Sequence, residues 1–202
     1  MLTLNDSMMV GLDIDGVLAD FLSPFLRILE QRAGNGPIEP ESITDPSFIN
    51  HPFLSTEIVS ACMIDVSKDP LFWSELIPLP SPDQWKALEA LSRDDRLVFV
   101  THRYEPDTCD MSRVTCDWLK KHGVTQPLVY FTQGHKSELI EKLKVELFVD
   151  DRHENCQDIA DNTSAVVLMP HRPYNQSFKH PRVQRIRDLD ELFTYLNNGV
   201  LE

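Results

Sequence analysis

Basic residues are scarce in this chain. Its 202 residues include 19 lysines and arginines against 32 aspartates and glutamates, which gives a formal net charge of -13 at pH 7. A protein that binds nucleic-acid polymers or anionic membranes needs a basic face, so both classes of partner are disfavoured. A small phosphorylated substrate is not excluded, because a bound Mg²⁺ and a few well-placed cations can reverse the field locally.

Cysteine and long apolar runs are also lacking. No two of the four cysteines are spaced Cys-x-x-Cys, which argues against a zinc site or a redox dithiol. No apolar run approaches the roughly 20 residues that span a bilayer. The first six residues lack the basic and apolar regions of a signal peptide. We therefore expect reduced thiols and a cytoplasmic protein.

Short apolar runs rich in valine, leucine and phenylalanine predict five strands, at 8–13, 96–101, 127–131, 145–150 and 165–169. Apolar character without alternation is typical of a parallel sheet that is covered on both faces. Helix signals separate the later strands, and the clearest is the capping box Ser81-Pro82-Asp83-Gln84. The pattern predicts an α/β fold with a Rossmann-like, doubly wound parallel sheet of about five strands.

The stretch between the first and second predicted strands is too long for one crossover connection. Apolar residues from Phe21 to Leu29 predict a helix that ends at Gly34, and residues 56–66 predict a second one. Between them, residues 35–52 contain four prolines and read as a loop. We therefore expect a small, mainly helical cap at 19–80, inserted into an α/β core made of residues 1–18 and 81–202.

Two aspartates stand where the first apolar strand ends. Burying an ionised carboxylate costs several kcal/mol unless it is paired or bound to metal, and open α/β sheets bind ligands at the carboxyl ends of their strands. An Asp-Gly turn with one spare acid would also explain this segment taken alone. Three later features follow or abut apolar runs in the same way, so that the ordered set is Asp13-Ile14-Asp15, Thr101, Lys136 and Asp150-Asp151.

In this order the motifs resemble those of the haloacid dehalogenase superfamily of aspartate-nucleophile phosphatases, and the resemblance spans nearly the whole chain. The longer string Asp13-Ile-Asp-Gly-Val-Leu-Ala-Asp-Phe21 is similar to the 5′(3′)-deoxyribonucleotidase branch and its bacterial and phage relatives. The resemblance implies a cap that covers the active site and helps to select the substrate.

The resemblance also implies catalytic roles. Asp13 is the expected nucleophile, which attacks phosphorus and forms an aspartyl-phosphate, and Asp15 is the expected general acid and base. Thr101 would offer its hydroxyl and backbone N–H groups to a phosphate oxygen. Lys136 would offset negative charge in the transition state. An ordinary strand-end threonine and a surface lysine at a helix start are the alternatives for the last two.

Mg²⁺ is the expected cofactor, because it would bridge the nucleophile and the phosphate and neutralise their repulsion. The resemblance implies Asp13, the backbone carbonyl of Asp15 and Asp150 as its oxygen ligands. Asp151 is left with three readings: a second ligand, a supporting acid or a helix N-cap. A simple cap opening the following helix is the alternative for the whole Asp150-Asp151 pair.

Five further residues are candidates for substrate binding. Aromatic faces stack on nucleobases, so Phe21, Phe72 and Trp73 could line a base pocket, although packing within the cap explains each of them as well. His102 and Arg103 follow Thr101 and could touch the substrate or lie solvated in a loop. The segment 172–175, Arg-Pro-Tyr-Asn, follows the fifth strand at the same rim of the sheet and receives no role.

The sequence thus predicts a Mg²⁺-dependent phosphomonoesterase that is a monomer or homodimer and acts on a (deoxy)nucleoside 5′-monophosphate. A sugar phosphate or another small phosphoester is the alternative substrate. A catalytically idle binding module with the same fold is the alternative of another class, and the complete motif set argues against it.

Overall fold

The structure is a computed structural model, and it describes residues 8–104 and 109–199. Its strands are β1 (Val10–Leu12), β2 (Ala19–Asp20), β3 (Ile77–Pro78), β4 (Leu97–Thr101), β5 (Val129–Phe131), β6 (Leu147–Val149), β7 (Val166–Pro170) and β8 (Val183–Ile186). Six of them form one parallel sheet in the order β5-β4-β1-β6-β7-β8. The chain builds outward from β1 through β4 to β5, then crosses to β6 on the other side, so the topological switch point lies at β1.

The predicted α/β class and doubly wound parallel sheet are confirmed, with six strands in place of about five. The additional strand is β8, which pairs with β7 at the sheet edge. Its sequence, Val183-Gln184-Arg185-Ile186, is half polar and only Ile186 is fully buried. Because a strand at the edge of a sheet needs little apolar surface, the sequence of β8 contains no apolar run that would predict it.

Eight α-helices surround the sheet within the described part of the chain. They are α1 (Leu22–Ala33), α2 (Thr56–Ser67), α3 (Pro70–Ser74), α4 (Pro82–Arg93), α5 (Met111–Lys121), α6 (Lys136–Lys142), α7 (His153–Asn162) and α8 (Leu189–Asn198). The predicted capping box opens α4: the Ser81 side chain accepts from Gln84 N, and the Gln84 side chain accepts from Ser81 N. Short 3₁₀ turns occupy Pro40–Ser42 and Pro173–Asn175.

Two apolar layers cover the two faces of the sheet. Alternate residues of β4 divide between them: Leu97 and Phe99 join the larger cluster, and Val98 and Val100 join the smaller one with α6 and α7. In β1, Gly11 faces the smaller cluster, where a Cβ would lie 2.5 Å from the Phe148 ring. Glycine at this position therefore lets β6 fill the space beside β1 with a phenylalanine.

The long segment between β1 and β4 contains helices α1 to α4 and the first 3₁₀ turn. Helix α1 ends at Gly34, which has the left-handed φ of 69° expected of a C-terminal cap. Strands β2 and β3 pair antiparallel, which joins the start and the end of this segment. Its buried side chains belong to the same apolar cluster as β1 and β6, and its division from the core at residues 19 and 80 stays a proposal.

No helix in the described ranges 8–104 and 109–199 is long and apolar enough to cross a membrane.

Candidate active site

The predicted motif residues meet at the carboxyl edge of the sheet. Asp13 follows β1, Thr101 ends β4, and Asp150 follows β6, and these three strands are neighbours. Lys136 is the first residue of α6, whose side chain reaches back to the same edge. All four residues are at least 95% buried. The alternative of a surface lysine is therefore excluded.

Three carboxylates form a compact cluster. One oxygen from each of Asp13, Asp150 and Asp151 lies within 4.8 Å of the others. Lys136 Nζ lies 2.7 Å from Asp150 Oδ2 and 3.1 Å from Asp13 Oδ2, so one ammonium joins two of the three acids. Asp150 is held further by Asn155 Nδ2, 3.1 Å from both carboxylate oxygens, and by Arg152 N.

The buried cluster carries excess negative charge, which appears in its pKa values. Burial raises the pKa of Asp13 well above its usual range; Asp150, Asp151 and Asp15 raise it further, and Lys136 opposes them. Burial and the charge of Asp150 raise the pKa of Asp151 to about 7. Burial lowers the pKa of Lys136, but its ion pairs with Asp13 and Asp150 outweigh that effect and raise it. Lys136 is therefore a permanent cation.

Asp15 has a different partner from the other acids. Arg103 donates from Nε to Asp15 Oδ2 at 2.9 Å and from Nη2 to Asp15 Oδ1 at 2.7 Å, a bidentate ion pair. Arg103 also donates to Thr115 Oγ1, and its guanidinium lies over the Trp73 ring, 4.8 Å from the centroid. Its side chain is fully buried. Arg103, predicted to contact substrate, thus holds the predicted acid and base.

Asp151 lies against the loop that follows Asp13. A Cβ built on Gly16 would lie less than 3.0 Å from three atoms of the Asp151 carboxyl group, and Gly16 has a φ of +79°. Only glycine fits this close approach without strain. Asp151 does not cap α7, because that helix begins at His153, its N-cap residue is Arg152 and no side chain makes a capping hydrogen bond. The N-cap reading of Asp151 was therefore wrong.

The cluster fits a divalent cation. When all three carboxylates are ionised, the ammonium of Lys136 offsets only part of their charge, since Arg103 is paired with Asp15. Asp151 Oδ1 is buried and has no hydrogen-bond partner among the described residues, which is costly unless another group binds it. Hard oxygen ligands of this kind suit Mg²⁺. The Asp15 carboxylate lies outside the cluster, and its backbone carbonyl as a ligand stays a prediction.

A cavity of about 370 Å³ opens onto this cluster. One end is polar and is lined by Asp13, Asp15, Thr101, His102, Arg103, Asp151, Arg152 and Tyr174. The other end is mainly apolar and is lined by Phe21, Leu22, Phe48, Val59, Met63 and Trp73, together with Pro46, Ser47 and Ser67. The volume lies within the range of small-ligand sites. The cavity therefore joins a charged end to an aromatic one.

Two of the three aromatic residues predicted to bind substrate line the cavity, and the third does not. Phe21 and Trp73 line the cavity and stack on each other, with ring centroids 5.7 Å apart. Phe72 is not part of the lining and meets both rings edge-on. Trp73 is also structural, since its Nε1 donates to Val66 O at 2.7 Å and the residue is 4% exposed. Phe48, which carried no sequence signal, lines the cavity with a left-handed φ of 66°.

Other site residues were missed or only partly noticed in the sequence. His102 lines the cavity as proposed; its Nε2 lies 3.1 Å from Gly134 O, and burial and nearby Lys136 lower its pKa. Arg152 also lines the cavity, and its position directly after the two aspartates was the available signal. Tyr174 lines the cavity and donates its hydroxyl hydrogen to Asp151 Oδ2. Tyr174 belongs to the segment 172–175, to which the sequence assigns no role.

Comparison with known families agrees with this geometry. Residues 7–197 match the model of the family described as 5′ nucleotidase, deoxy (pyrimidine), cytosolic type C protein (NT5C). The chain belongs to the NT5C family. It is accordingly a phosphoric monoester hydrolase of the haloacid dehalogenase superfamily, and the predicted family resemblance is confirmed.

Two relatives of this NT5C-family chain match at least 90% of its length. It is 23% identical over 193 residues to the Bacillus subtilis protein described as "Putative nucleotidase YqfW", with 94% of each chain covered. It is 24% identical over 185 residues to "Putative nucleotidase BH1399" of Halalkalibacterium halodurans, covering 90% of this chain and 88% of that one.

Solved structures share the fold. The haloacid dehalogenase-like hydrolase SP0104 of Streptococcus pneumoniae superposes with a TM-score of 0.61 over 95% of this chain and 99% of its own, at 12% identity. A haloacid dehalogenase-superfamily hydrolase of subfamily IA from Geobacter sulfurreducens gives a TM-score of 0.53 over 95% and 97%, at 14% identity. At these identities the likeness concerns the fold alone.

Proposed function

We propose that this NT5C-family hydrolase is a Mg²⁺-dependent nucleotidase that removes the phosphate from (deoxy)nucleoside 5′-monophosphates through a phosphorylated Asp13. The observation that carries the proposal is the single cavity in which the Asp13 cluster faces an aromatic end made by Phe21, Phe48 and Trp73. The four cysteines are free thiols, which fits work in the cytoplasm.

In this proposal Asp13 is the nucleophile that attacks phosphorus. Its backbone N donates to Val149 O at 2.9 Å, and its Oδ1 accepts from Ile14 N at 2.8 Å. These bonds fix the carboxylate at the end of β1. Asp13 Oδ2 is shared with Lys136 Nζ at 3.1 Å. In the proposed first step an Asp13 oxygen bonds to phosphorus, and the bond from phosphorus to the ester oxygen breaks.

Asp15 would move the proton in both steps. It gives a proton to the leaving ester oxygen in the first step and takes one from the attacking water in the second, which releases phosphate and restores Asp13. The bidentate pair with Arg103 occupies both oxygens of an ionised Asp15. Protonation of Asp15 removes the negative charge that strengthens both bonds, so each proton uptake weakens the pair with Arg103.

The metal site belongs to the same proposal. Asp13, Asp150 and Asp151 are the side chains that would hold Mg²⁺. When bound, the ion supplies positive charge that lets an anionic nucleophile and an anionic phosphate approach each other. Arg152 and Arg103 line this end of the cavity, and Lys136 contributes its positive charge through its pair with Asp13. Thr101, 1% exposed, lines the same end and offers its hydroxyl to a phosphate oxygen.

The apolar end favours a nucleoside over a sugar. A sugar phosphate presents several hydroxyl groups, and each buried hydroxyl needs a hydrogen-bond partner. Apart from the hydroxyl groups of Ser47, Ser67 and Tyr104, the rest of the cavity lining offers mainly phenylalanine, leucine, valine, methionine and tryptophan side chains. A nucleobase can stack on such a surface, and base–aromatic stacking contributes about 1–3 kcal/mol per base. We therefore place the base against Phe21 and Trp73.

The test is a phosphatase screen with purified protein over 5′- and 3′-nucleotides, in ribose and deoxyribose forms, and over sugar phosphates. We expect the highest kcat/KM on a 5′-nucleoside monophosphate, loss of activity in EDTA and recovery with Mg²⁺. Asp13→Asn should lower kcat by at least about 10³-fold, as expected when a nucleophile is removed. The preferred hydrolysis of sugar phosphates would overturn the substrate, and wild-type turnover by folded Asp13→Asn would overturn the mechanism.

A further inference from the structure

The segment Arg172–Asn175, which follows β7, makes four contacts with the active-site edge and carries no catalytic motif. Tyr174 donates its hydroxyl hydrogen to Asp151 Oδ2. Asn175 Nδ2 donates to the backbone carbonyl of Asp151 at 2.7 Å and to that of Pro170 at 2.9 Å. Arg172 Nε donates to the carbonyl of Gly16 at 2.8 Å, across 156 positions of sequence. This one segment is therefore hydrogen-bonded both to Asp151 and to the loop that follows Asp13.

The segment is itself braced by the edge strand β8. Arg185 Nη1 donates to Asn175 Oδ1 at 2.9 Å, and Arg185 Nη2 donates to the carbonyls of Asn175 and Phe178. Asn175 is 1% exposed and Tyr174 is 8% exposed. A side chain that is buried and fully hydrogen-bonded keeps one orientation. Strand β8, which the sequence did not predict, therefore supports Asn175, and Asn175 in turn holds Asp151.

Tyr174 distinguishes between the two oxygens of Asp151. Oδ2 accepts the hydroxyl of Tyr174, whereas Oδ1 is buried and has no partner among the described residues. A carboxylate that is free to rotate could present either oxygen, or both, to a bound cation. Hydrogen bonds to ligating carboxylates set their orientation, and losing such a partner typically costs about 10–100-fold in metal affinity or activity.

We propose that Arg172–Asn175 is a positioning segment with two arms: Tyr174 orients Asp151 so that Oδ1 is left for the metal, and Arg172 fixes the Gly16 loop that carries the nucleophile. The inference rests on the proposed metal-dependent function. Tyr174 acts through Asp151, and Arg172 acts through the backbone of Gly16.

The arm of Tyr174 is tested by metal binding in the absence of substrate. Mn²⁺ titration of the full-length protein, followed by EPR, compares wild type, Tyr174→Phe and the control Tyr195→Phe. Tyr195 lies on α8 and packs against the larger apolar cluster, away from the cavity lining. We expect the Kd for Mn²⁺ to rise about 10-fold or more in Tyr174→Phe and to stay at the wild-type value in Tyr195→Phe. An unchanged Kd in folded Tyr174→Phe overturns the inference.

The arm of Arg172 gives a different readout. Arg172→Met keeps a long aliphatic side chain and removes every donor. We expect kcat to fall at saturating metal while the Kd for Mn²⁺ stays within about twofold of wild type, because Asp151 keeps its bonds to Tyr174 and Asn175. Equal losses of metal affinity in both variants, or no loss of kcat in Arg172→Met, would contradict the two-arm assignment.

Different results would contradict the proposed metal-dependent function and the proposed role of Arg172–Asn175. If wild-type protein binds no Mn²⁺, the proposed metal site is wrong and this inference falls with it. If wild type binds Mn²⁺ and hydrolyses nucleotides while Tyr174→Phe matches it in metal affinity, the proposed function stands and only the role of the segment is wrong. Near-ultraviolet circular dichroism of each variant checks that the fold is retained.

Discussion

Replacing Gly16 with alanine should disable the enzyme by displacing Asp151, and the structure supplies a matched control. Gly16 has a φ of +79° and Gly34, at the end of α1, has a φ of +69°. A non-glycine residue in this left-handed region costs about 1–2 kcal/mol. Nothing lies within 4 Å of a Cβ built on Gly34, whereas a Cβ built on Gly16 meets the Asp151 carboxylate. The two variants therefore share the backbone cost and differ in the collision.

The magnitude of the collision follows from the geometry. Asp151 Oδ2 would have to retreat by roughly 1 Å to reach the 3.0 Å limit of real Cβ contacts. That oxygen is bound by the buried Tyr174 hydroxyl, so the shift breaks a hydrogen bond or moves the Asp13 loop. A misplacement of about 1 Å in a catalytic site costs about 10²-fold in rate. We expect a loss of that size or larger in kcat for Gly16→Ala.

The assay pairs steady-state kinetics on the best nucleotide with thermal melting. Gly34→Ala should lower the melting temperature by about 2–8 °C, from 1–2 kcal/mol in a chain of this size, and keep wild-type kcat. Gly16→Ala should melt at least as low and lose turnover. If the kcat of folded Gly16→Ala lies within threefold of the kcat of Gly34→Ala, the close approach of Gly16 to Asp151 does not matter for catalysis. That result would refute the reasoning.

Two further predictions concern the acids themselves. Asp15→Asn should slow ordinary esters far more than an activated aryl phosphate, whose leaving group needs little protonation; equal losses on both would argue against Asp15 as the acid. Because the pKa of Asp151 is raised from its ordinary 3.8 to about 7, the metal-free native state keeps a proton that the unfolded chain has released. Its contribution to the free energy of unfolding should fall by up to about 4 kcal/mol as pH rises from 4 to 7. Urea melts in EDTA should show this fall in wild type and a smaller one in Asp151→Asn, and equal slopes would contradict it.

The catalytic strand ends could be predicted because each follows an apolar run of its own. Asp13, Thr101 and Asp150 are each the last or next residue of a buried strand, and parallel strands bring such residues to one edge. The order of strands, which decides that β4 and β6 flank β1, is not written in any one segment. It follows only once the superfamily resemblance is accepted.

The partners of these residues could not be predicted, because they depend on contacts between distant segments. Arg103 binds Asp15 across 88 positions, and nothing in its neighbourhood distinguishes it from a solvated loop arginine. Tyr174 reaches Asp151 across 23 positions, and Arg185, which braces Asn175, lies on a half-polar edge strand. The spacing of apolar residues along the chain predicts burial and secondary structure. It does not predict which two polar side chains form a hydrogen bond.

The four aspartates of the site are chemically the same side chain, and their partners assign them different roles. Asp13, the proposed nucleophile, shares a lysine with Asp150, and burial raises the pKa of its carboxyl group well above the usual range. Asp15 faces a buried arginine, and that ion pair weakens when a proton neutralises the carboxylate. Asp151 is held by a neutral phenol, which orients it without neutralising it and therefore leaves its charge for a metal ion. Environments that treat like groups differently are how a site separates nucleophile, acid and ligand.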